Sequence, residues 1–166
     1  MNDRNAETPD SLLLDHQLCF AVYSTGNALT RLYSELLADA GLSYTQYLVL
    51  LVLWEEDGMT IKEIGNRLLL DSGTLTPVIR RLEQRGLAVR ERDAHDQRRV
   101  HALLTDAGRE LEPRVRAARE KVFHATQMSA DELRALRQQL LHLRTKLNLA
   151  VDAMEAEATN SKADKP

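Results

Sequence analysis

Cys19 is the only cysteine in the 166 residues. One cysteine excludes an intramolecular disulfide framework and any cysteine-based zinc site. Aromatic residues make up 4% of the chain, and there are only seven glycines and four prolines. Composition therefore favours helices over a many-stranded sheet. No apolar run approaches membrane-spanning length; the stretch Tyr47–Trp54 is apolar but short and reads as a core helix. The first ten residues are polar and charged, so no secretory signal and a cytoplasmic location are expected. The histidines His95, His101, His124 and His142 are scattered and do not pair with acids at metal-ligand spacing. No metal, cofactor or membrane partner is expected.

The formal net charge is −3, a poor sign for a nucleic-acid binder until its distribution is considered. Between Thr60 and His101 nine Lys/Arg face six Asp/Glu, so that segment carries +3 inside an acidic frame. A basic module of this kind suits DNA binding at one defined face.

Periodicity divides the chain. Residues 1–10 read as a flexible arm. Leu14, Leu18, Val22, Leu29, Leu32, Leu36 and Leu37 recur at helical spacing up to Gly41. Ser43 with Gln46, and Thr60 with Glu63, form capping boxes that open a second and a third helix, with Asp57-Gly58 as the turn between them. After a break around Leu70 to Gly73, Leu75, Val78, Ile79 and Leu82 mark a fourth helix ended by Gly86. The period then changes to two: Leu87 and Val89, then Val100, Ala102 and Leu104, flank a charged tip at Asp93 to Arg99. Thr105 starts a helix that Pro113 should kink near Leu111. Ser129 with Glu132 caps a final Leu-rich helix that turns polar beyond about Met154.

Two short helices, a turn and a β-hairpin predict a winged helix-turn-helix, mostly α with a small β-hairpin wing. A helix fits the DNA major groove, and the helix before it braces it. Ser72, Gly73, Thr74, Thr76 and Pro77 at the start of the fourth helix can approach bases or phosphates, with Arg80 and Arg81 one turn later. Pro77 is tolerable if that helix begins at Gly73 or Thr74. At the wing tip, Arg98 and Arg99 can reach a minor groove, and Asp96 stands two residues from Arg98 to orient it. Cys19 near the start of the first helix sits where the helix dipole favours negative charge, which makes a thiol reactive. The plainer alternative is a small buried hydrophobe. His16, three residues earlier, either assists the thiol or is a solvated first-turn residue.

Three blocks carry a resemblance: Leu14 to Tyr23 (LDHQLCFAVY), Leu42 to Leu50 (LSYTQYLVL) and Leu70 to Pro77 (LDSGTLTP). With Asp96-Gln97-Arg98 and Leu104 to Gly108, they resemble the multiple-antibiotic-resistance regulator (MarR) family, in particular its organic hydroperoxide branch, OhrR. The resemblance spans Leu14 to Gly108, with looser helical similarity to about Ala150. It implies a homodimeric repressor of an inverted-repeat, double-stranded DNA operator, and not an enzyme. In that branch an organic hydroperoxide oxidises the cysteine, and two tyrosines of the partner subunit hydrogen-bond it. Tyr33 and Tyr44 match those positions, Tyr23 is a third nearby phenol, and Phe20 and Leu18 would line the peroxide pocket. Fourteen residues separate Cys19 from Tyr33, roughly 21 Å along one helix. They meet only if first helices cross in a dimer. Some relatives of this type carry a resolving cysteine that this chain lacks, so a sulfenic acid would leave as a mixed disulfide with a small thiol, as a sulfenamide, or by over-oxidation.

The expected organisation is a dimer and sensor segment (11–58), the DNA-binding module (59–105), C-terminal dimerisation helices (106–154) and a disordered tail (155–166). Two competing functions are a MarR-type repressor answering a phenolic or other small ligand with a structural cysteine, and a thiol peroxidase.

Overall fold

The structure is a computed structural model that describes residues 12–163, with side chains through residue 159. The expected arm (1–10) lies outside the described residues. The described residues form two compact units, divided between Val122 and Phe123.

In the first unit, a 3-10 turn at Leu14–His16 precedes helix α1 (Leu18–Leu37), and Gln17 between them is extended. The apolar stripe therefore does not run as one helix from Leu14, and His16 is not on the face of α1 that carries Cys19. Only Leu37 of α1 is buried, while Leu18, Val22 and Leu29 of its stripe are exposed. A second 3-10 turn (Ala38–Ala40) ends at Gly41.

Helix α2 (Tyr44–Glu55) starts with the complete Ser43/Gln46 capping box. It buries Gln46, Tyr47, Val49, Leu50, Val52 and Leu53, so it is apolar nearly all round, as a helix at the centre of a domain must be. It packs against α1, against α3 (Ile61–Leu68), against α4 (Ser72–Gln84) and against the second wing strand. Ile64, Leu75, Ile79 and Leu82 complete the core, all fully buried. Helix α3 begins with the Thr60/Glu63 capping box. Leu69, left-handed at φ 57°, makes the turn to α4.

Helix α4 starts at Ser72, one residue earlier than the tolerance of Pro77 suggests, because Asp71 caps it by accepting the Thr74 N–H at 2.9 Å. Pro77 then sits inside the second turn, and the Gly73 carbonyl loses its helical donor. The helix ends in a Schellman motif: Leu87 N–H donates to Leu82 O at 3.0 Å and Gly86 N–H to Glu83 O at 2.9 Å, with Gly86 at φ 67°.

Strands β1 (Ala88–Arg92) and β2 (Val100–Leu104) pair antiparallel, Ala88 opposite Leu104 and Arg92 opposite Val100. Residues of the α2–α3 connection extend this pairing, through a bridge between Thr60 and His101 and a 2.9 Å bond from Ala102 N–H to Met59 O. The buried residue of β1 is Ala88, and Val89 points outward, the reverse of the face that alternation predicts. Leu87, just before the strand, is buried in the core together with Ala88, so two consecutive residues point inward and the alternation restarts one residue late.

Thr105 caps the short helix α5 (Asp106–Glu110), and Leu111 separates it from α6 (Glu112–Ala125), so Pro113 accompanies a break and not only a kink. In the second unit, the Ser129/Glu132 box is complete, and α7 runs from Ala130 to Ala163. It continues nine residues past Met154 through the expected tail, because Glu155-Ala156-Glu157-Ala158 are strong helix formers. Leu136, Leu140, Leu147 and Met154 on α7 are exposed.

Of the glycines, Gly108 is the most tightly enclosed. A Cβ there would lie 2.1 Å from Leu87 O, a backbone atom that cannot swing aside. Its own carbonyl accepts the Trp54 indole N–H at 3.0 Å. Gly108→Ala is expected to destabilise the fold by about 2–4 kcal/mol, measured by urea denaturation. A loss within about 0.5 kcal/mol, the scatter of ordinary surface substitutions, would contradict this packing.

Candidate functional site

The nine basic residues between Thr60 and His101 divide by what they touch. Arg67 pairs with Glu55, and Arg90 with Glu83 at 2.8 Å. Arg85 donates to Ala40 O at 2.7 Å and also to Gly41 O, which ties the end of α4 to the end of α1. These three serve the fold. Arg80 and Arg81 are exposed on α4 and form no ion pair among the described residues.

At the start of α4, Ser72, Gly73, Thr74 and Pro77 are exposed, and Thr76 is half-buried. The hydroxyls are partly engaged. Thr74 donates to Asp71 at 2.7 Å, and Thr76 donates to Ser72 O at 2.7 Å. Each retains lone pairs, so these two threonines can accept from a base amino group but have no proton left for a phosphate, while Ser72 keeps a free choice of role. The hydrogen bonds from Thr74 hold the Asp71 carboxyl below the usual carboxylate range.

The wing tip is a nest of carboxylate contacts. Asp93 accepts the N–H groups of His95 at 2.8 Å and Asp96 at 3.0 Å, which, with His101 beside it, brings its carboxyl down to about 2. Asp96 in turn accepts the Arg98 N–H at 3.1 Å and the Arg98 guanidinium at 3.1 and 3.4 Å. Arg98 thereby extends into solvent, with 91% of its side chain exposed. Arg99 turns the other way, 3.6 Å from Glu63 on α3. A groove of about 1000 Å³ opens between the wing and the helices, lined by Lys62, Asn66, Asp71, Ser72, Arg98 and Arg99. Lys62 and Asn66 are additions to the candidate list. Lys62 contributes to the basic segment in the sequence, but nothing local marks it as facing the wing.

Cys19 is the second residue of α1 and is exposed. Leu18 is exposed beside it, and Phe20 is half-buried. One chain alone therefore leaves the thiol open to solvent. Tyr23 is exposed one turn further on. Tyr33 and Tyr44 are brought together at the other end of α1, with ring centroids 5.1 Å apart. Cys19 lies roughly 21 Å from Tyr33 along the axis of the same helix. A third phenol completes that cluster. Tyr47 stacks on Tyr33 at 5.0 Å and lies 6.1 Å from Tyr44. Burial, then the neighbouring Tyr33 phenol, pushes the Tyr47 hydroxyl well above the ordinary phenol range, and the same two causes raise Tyr44. Sequence reasoning places Tyr47 in a core helix and misses its polar end; its spacing of three from Tyr44 was the available signal. A cavity of about 270 Å³ adjoins Tyr47, lined also by Trp54, Arg116 and Arg119.

Residues 42–100 match the MarR family. Across 161 residues, covering 97% of this chain and 82% of the relative, the chain is 47% identical to the HTH-type transcriptional regulator TtmR of Methylorubrum extorquens (strain PA1). It is 38% identical over 134 residues to the organic hydroperoxide resistance transcriptional regulator of Bacillus subtilis (strain 168), covering 81% of this chain and 91% of that one. Among solved structures, reduced AbfR of Staphylococcus epidermidis bound to DNA matches with a TM-score of 0.69 at 37% identity, over 81% of this chain and 93% of that chain. With a wing, a reading helix and relatives of this identity over most of both lengths, the chain belongs to the MarR family of transcriptional regulators.

Proposed function

We propose that this regulator is a homodimeric repressor that binds an inverted-repeat operator and releases it when an organic hydroperoxide oxidises Cys19. The observation that carries the reading is the pairing of an exposed thiol at the start of α1 with a cluster of phenols, Tyr33, Tyr44 and Tyr47, at the far end of the same helix. Crossing two copies of α1 lays the thiol of one on the phenols of the other and covers Leu18, Val22 and Leu29. The relative from Bacillus subtilis is an organic hydroperoxide resistance regulator, and AbfR is known reduced on DNA and in a disulfide-formed state.

The chemistry balances with one sulfur. The thiolate attacks the distal oxygen of the hydroperoxide, the O–O bond breaks, and an alcohol leaves once its oxygen takes a proton. Cys19 becomes a sulfenic acid. With no second cysteine in the sequence, a small cellular thiol then displaces water to give a mixed disulfide. Either adduct is larger and more polar than the thiol, and it breaks the contacts between the two copies of α1. A single event per protein suffices, so no turnover is needed and the protein is not an enzyme. A cytoplasmic site of action fits a DNA partner; among the described residues no single helix is long and apolar enough to cross a membrane.

On DNA, α4 enters the major groove and Arg98 the adjacent minor groove, with the reading helices of the dimer one turn, roughly 34–36 Å, or a multiple apart. The cavity beside Tyr47 and Arg119 favours a second reading, in which a phenolic or other small ligand is the signal and Cys19 is structural.

Arg98→Ala is expected to weaken operator binding by about 1–3 kcal/mol while leaving the dimer intact, measured by fluorescence anisotropy and sedimentation; unchanged affinity at physiological salt removes Arg98 from the interface. Cys19→Ser is expected to bind operator DNA as the wild type does and to keep it after stoichiometric cumene hydroperoxide, with intact mass reporting no adduct. Release of DNA by that variant would overturn the thiol mechanism and favour the ligand reading. Tyr33→Phe, Tyr44→Phe and Tyr47→Phe are each expected to slow peroxide-driven release or to weaken reduced-state binding, because each removes a hydroxyl from the cluster.

A further inference from the structure

His101 stands where the wing joins the body of the module, and both its ring nitrogens face oxygens that have no hydrogen to give. Nδ1 lies 2.7 Å from the carbonyl of Gly58, in the turn after α2, and Nε2 lies 3.2 Å from Asp93 Oδ2 in the wing. A neutral imidazole carries one N–H, so it satisfies one of these contacts and turns a lone pair on the other. Only the imidazolium donates to both. We propose that His101 is a positioning residue for Arg98: its doubly protonated ring clasps the α2–α3 turn on one side and Asp93 on the other, and so fixes the wing loop that presents the arginine to DNA.

The path from the ring to the arginine is continuous. Asp93 holds the N–H groups of His95 and Asp96, and the Asp96 carboxylate holds both the N–H and the guanidinium of Arg98. The charged groups facing the ring are Asp93 and Arg99 from the wing and Glu63 from α3. Asp57, next to Gly58 in the turn, is taken up by the Leu104 N–H at 2.8 Å and by Arg109 at 2.6 Å. The bond to Gly58 and then the bond to Asp93 raise the imidazole above its ordinary value, against burial and Arg99. The direction fixes the sign. The clasp is complete below the ordinary histidine value, about 6.5, and is lost as pH rises through the raised one. Asp93, at about 2, stays ionised throughout that window. On deprotonation the shorter Gly58 contact keeps the remaining proton, and the wing is the side released.

The proposal rests on Arg98 touching DNA, and the test separates the two. A labelled duplex selected from a random pool by the wild-type protein is titrated by anisotropy between pH 6 and 8.5 at constant ionic strength, with wild type, His101→Gln and Arg98→Ala. The wild-type affinity is expected to fall about fivefold more over that range than that of His101→Gln, a modest factor because the clasp is half-exposed. Arg98→Ala is expected to bind weakly and to lose the same extra dependence. If Arg98→Ala binds like the wild type, the wing reading fails. If Arg98→Ala is weak but His101→Gln keeps the wild-type slope, the wing reading stands and the positioning role is overturned. Retention of the slope by Arg98→Ala would also overturn it, since the imidazolium would then act on DNA by charge alone. Independently, the His101 ring signal in a nitrogen-15 NMR titration, assigned by its loss in His101→Gln, is expected to titrate above 6.5; a value at or below that contradicts the clasp.

Discussion

In a straight helix of twenty residues, the second residue and the sixteenth lie almost four turns apart, beyond one another's reach, and α1 places Cys19 and Tyr33 at those positions. Roughly 21 Å of rigid backbone separates the thiol from the phenols. The same helix buries a single residue, Leu37, at its C-terminal end, and leaves its apolar N-terminal stripe uncovered. In the proposed dimer both facts have one resolution, a second copy of α1 crossing the first. It would cover the stripe by the hydrophobic effect and bring unlike ends together. In this account the sensor is a property of two chains, and dimerisation and sensing are a single packing problem.

The proposed DNA-binding side rests instead on contacts within the chain. Helix α2 is buried nearly all round and packs on α1, α3, α4 and β2, so the phenol cluster and the reading helix share one core. Arg85 adds a polar tie from the end of α4 to the end of α1. Interiors are close-packed and resist continuous deformation. In the proposed mechanism a displacement of α1 acts on a stiff body, with the exposed wing tip at its edge.

Much of this was legible because it is local chemistry. Each of the three capping boxes involves residues three apart, and each is complete in the structure. Gly86 stops α4 because one residue in the left-handed region satisfies two carbonyls. What escaped the sequence is non-local or conflicted. The extended Gln17 separates His16 from α1, although the Leu spacing runs through it. Val89 faces outward because Leu87 and Ala88 are both buried in the core at the strand entry, which shifts the alternation by one. Pro77 argues for a later start of α4, but the Asp71 cap outweighs it. Tyr47 and His101 read as a core aromatic and a stray histidine; their partners, Tyr33 and the Gly58–Asp93 pair, are supplied only by folding.

The central claim is that each thiol works with the tyrosines of the other subunit. Mixed dimers with differently tagged chains test it directly. In one, Cys19→Ser is on one chain and Tyr33→Phe with Tyr44→Phe on the other; in the second, all three substitutions are on one chain and its partner is wild type. Both contain one cysteine and one intact tyrosine set. If the site forms between subunits, the first dimer keeps an intact site and releases DNA with peroxide at a near-normal rate, while the second is impaired. The reverse order would place thiol and phenols within one chain and would contradict the account.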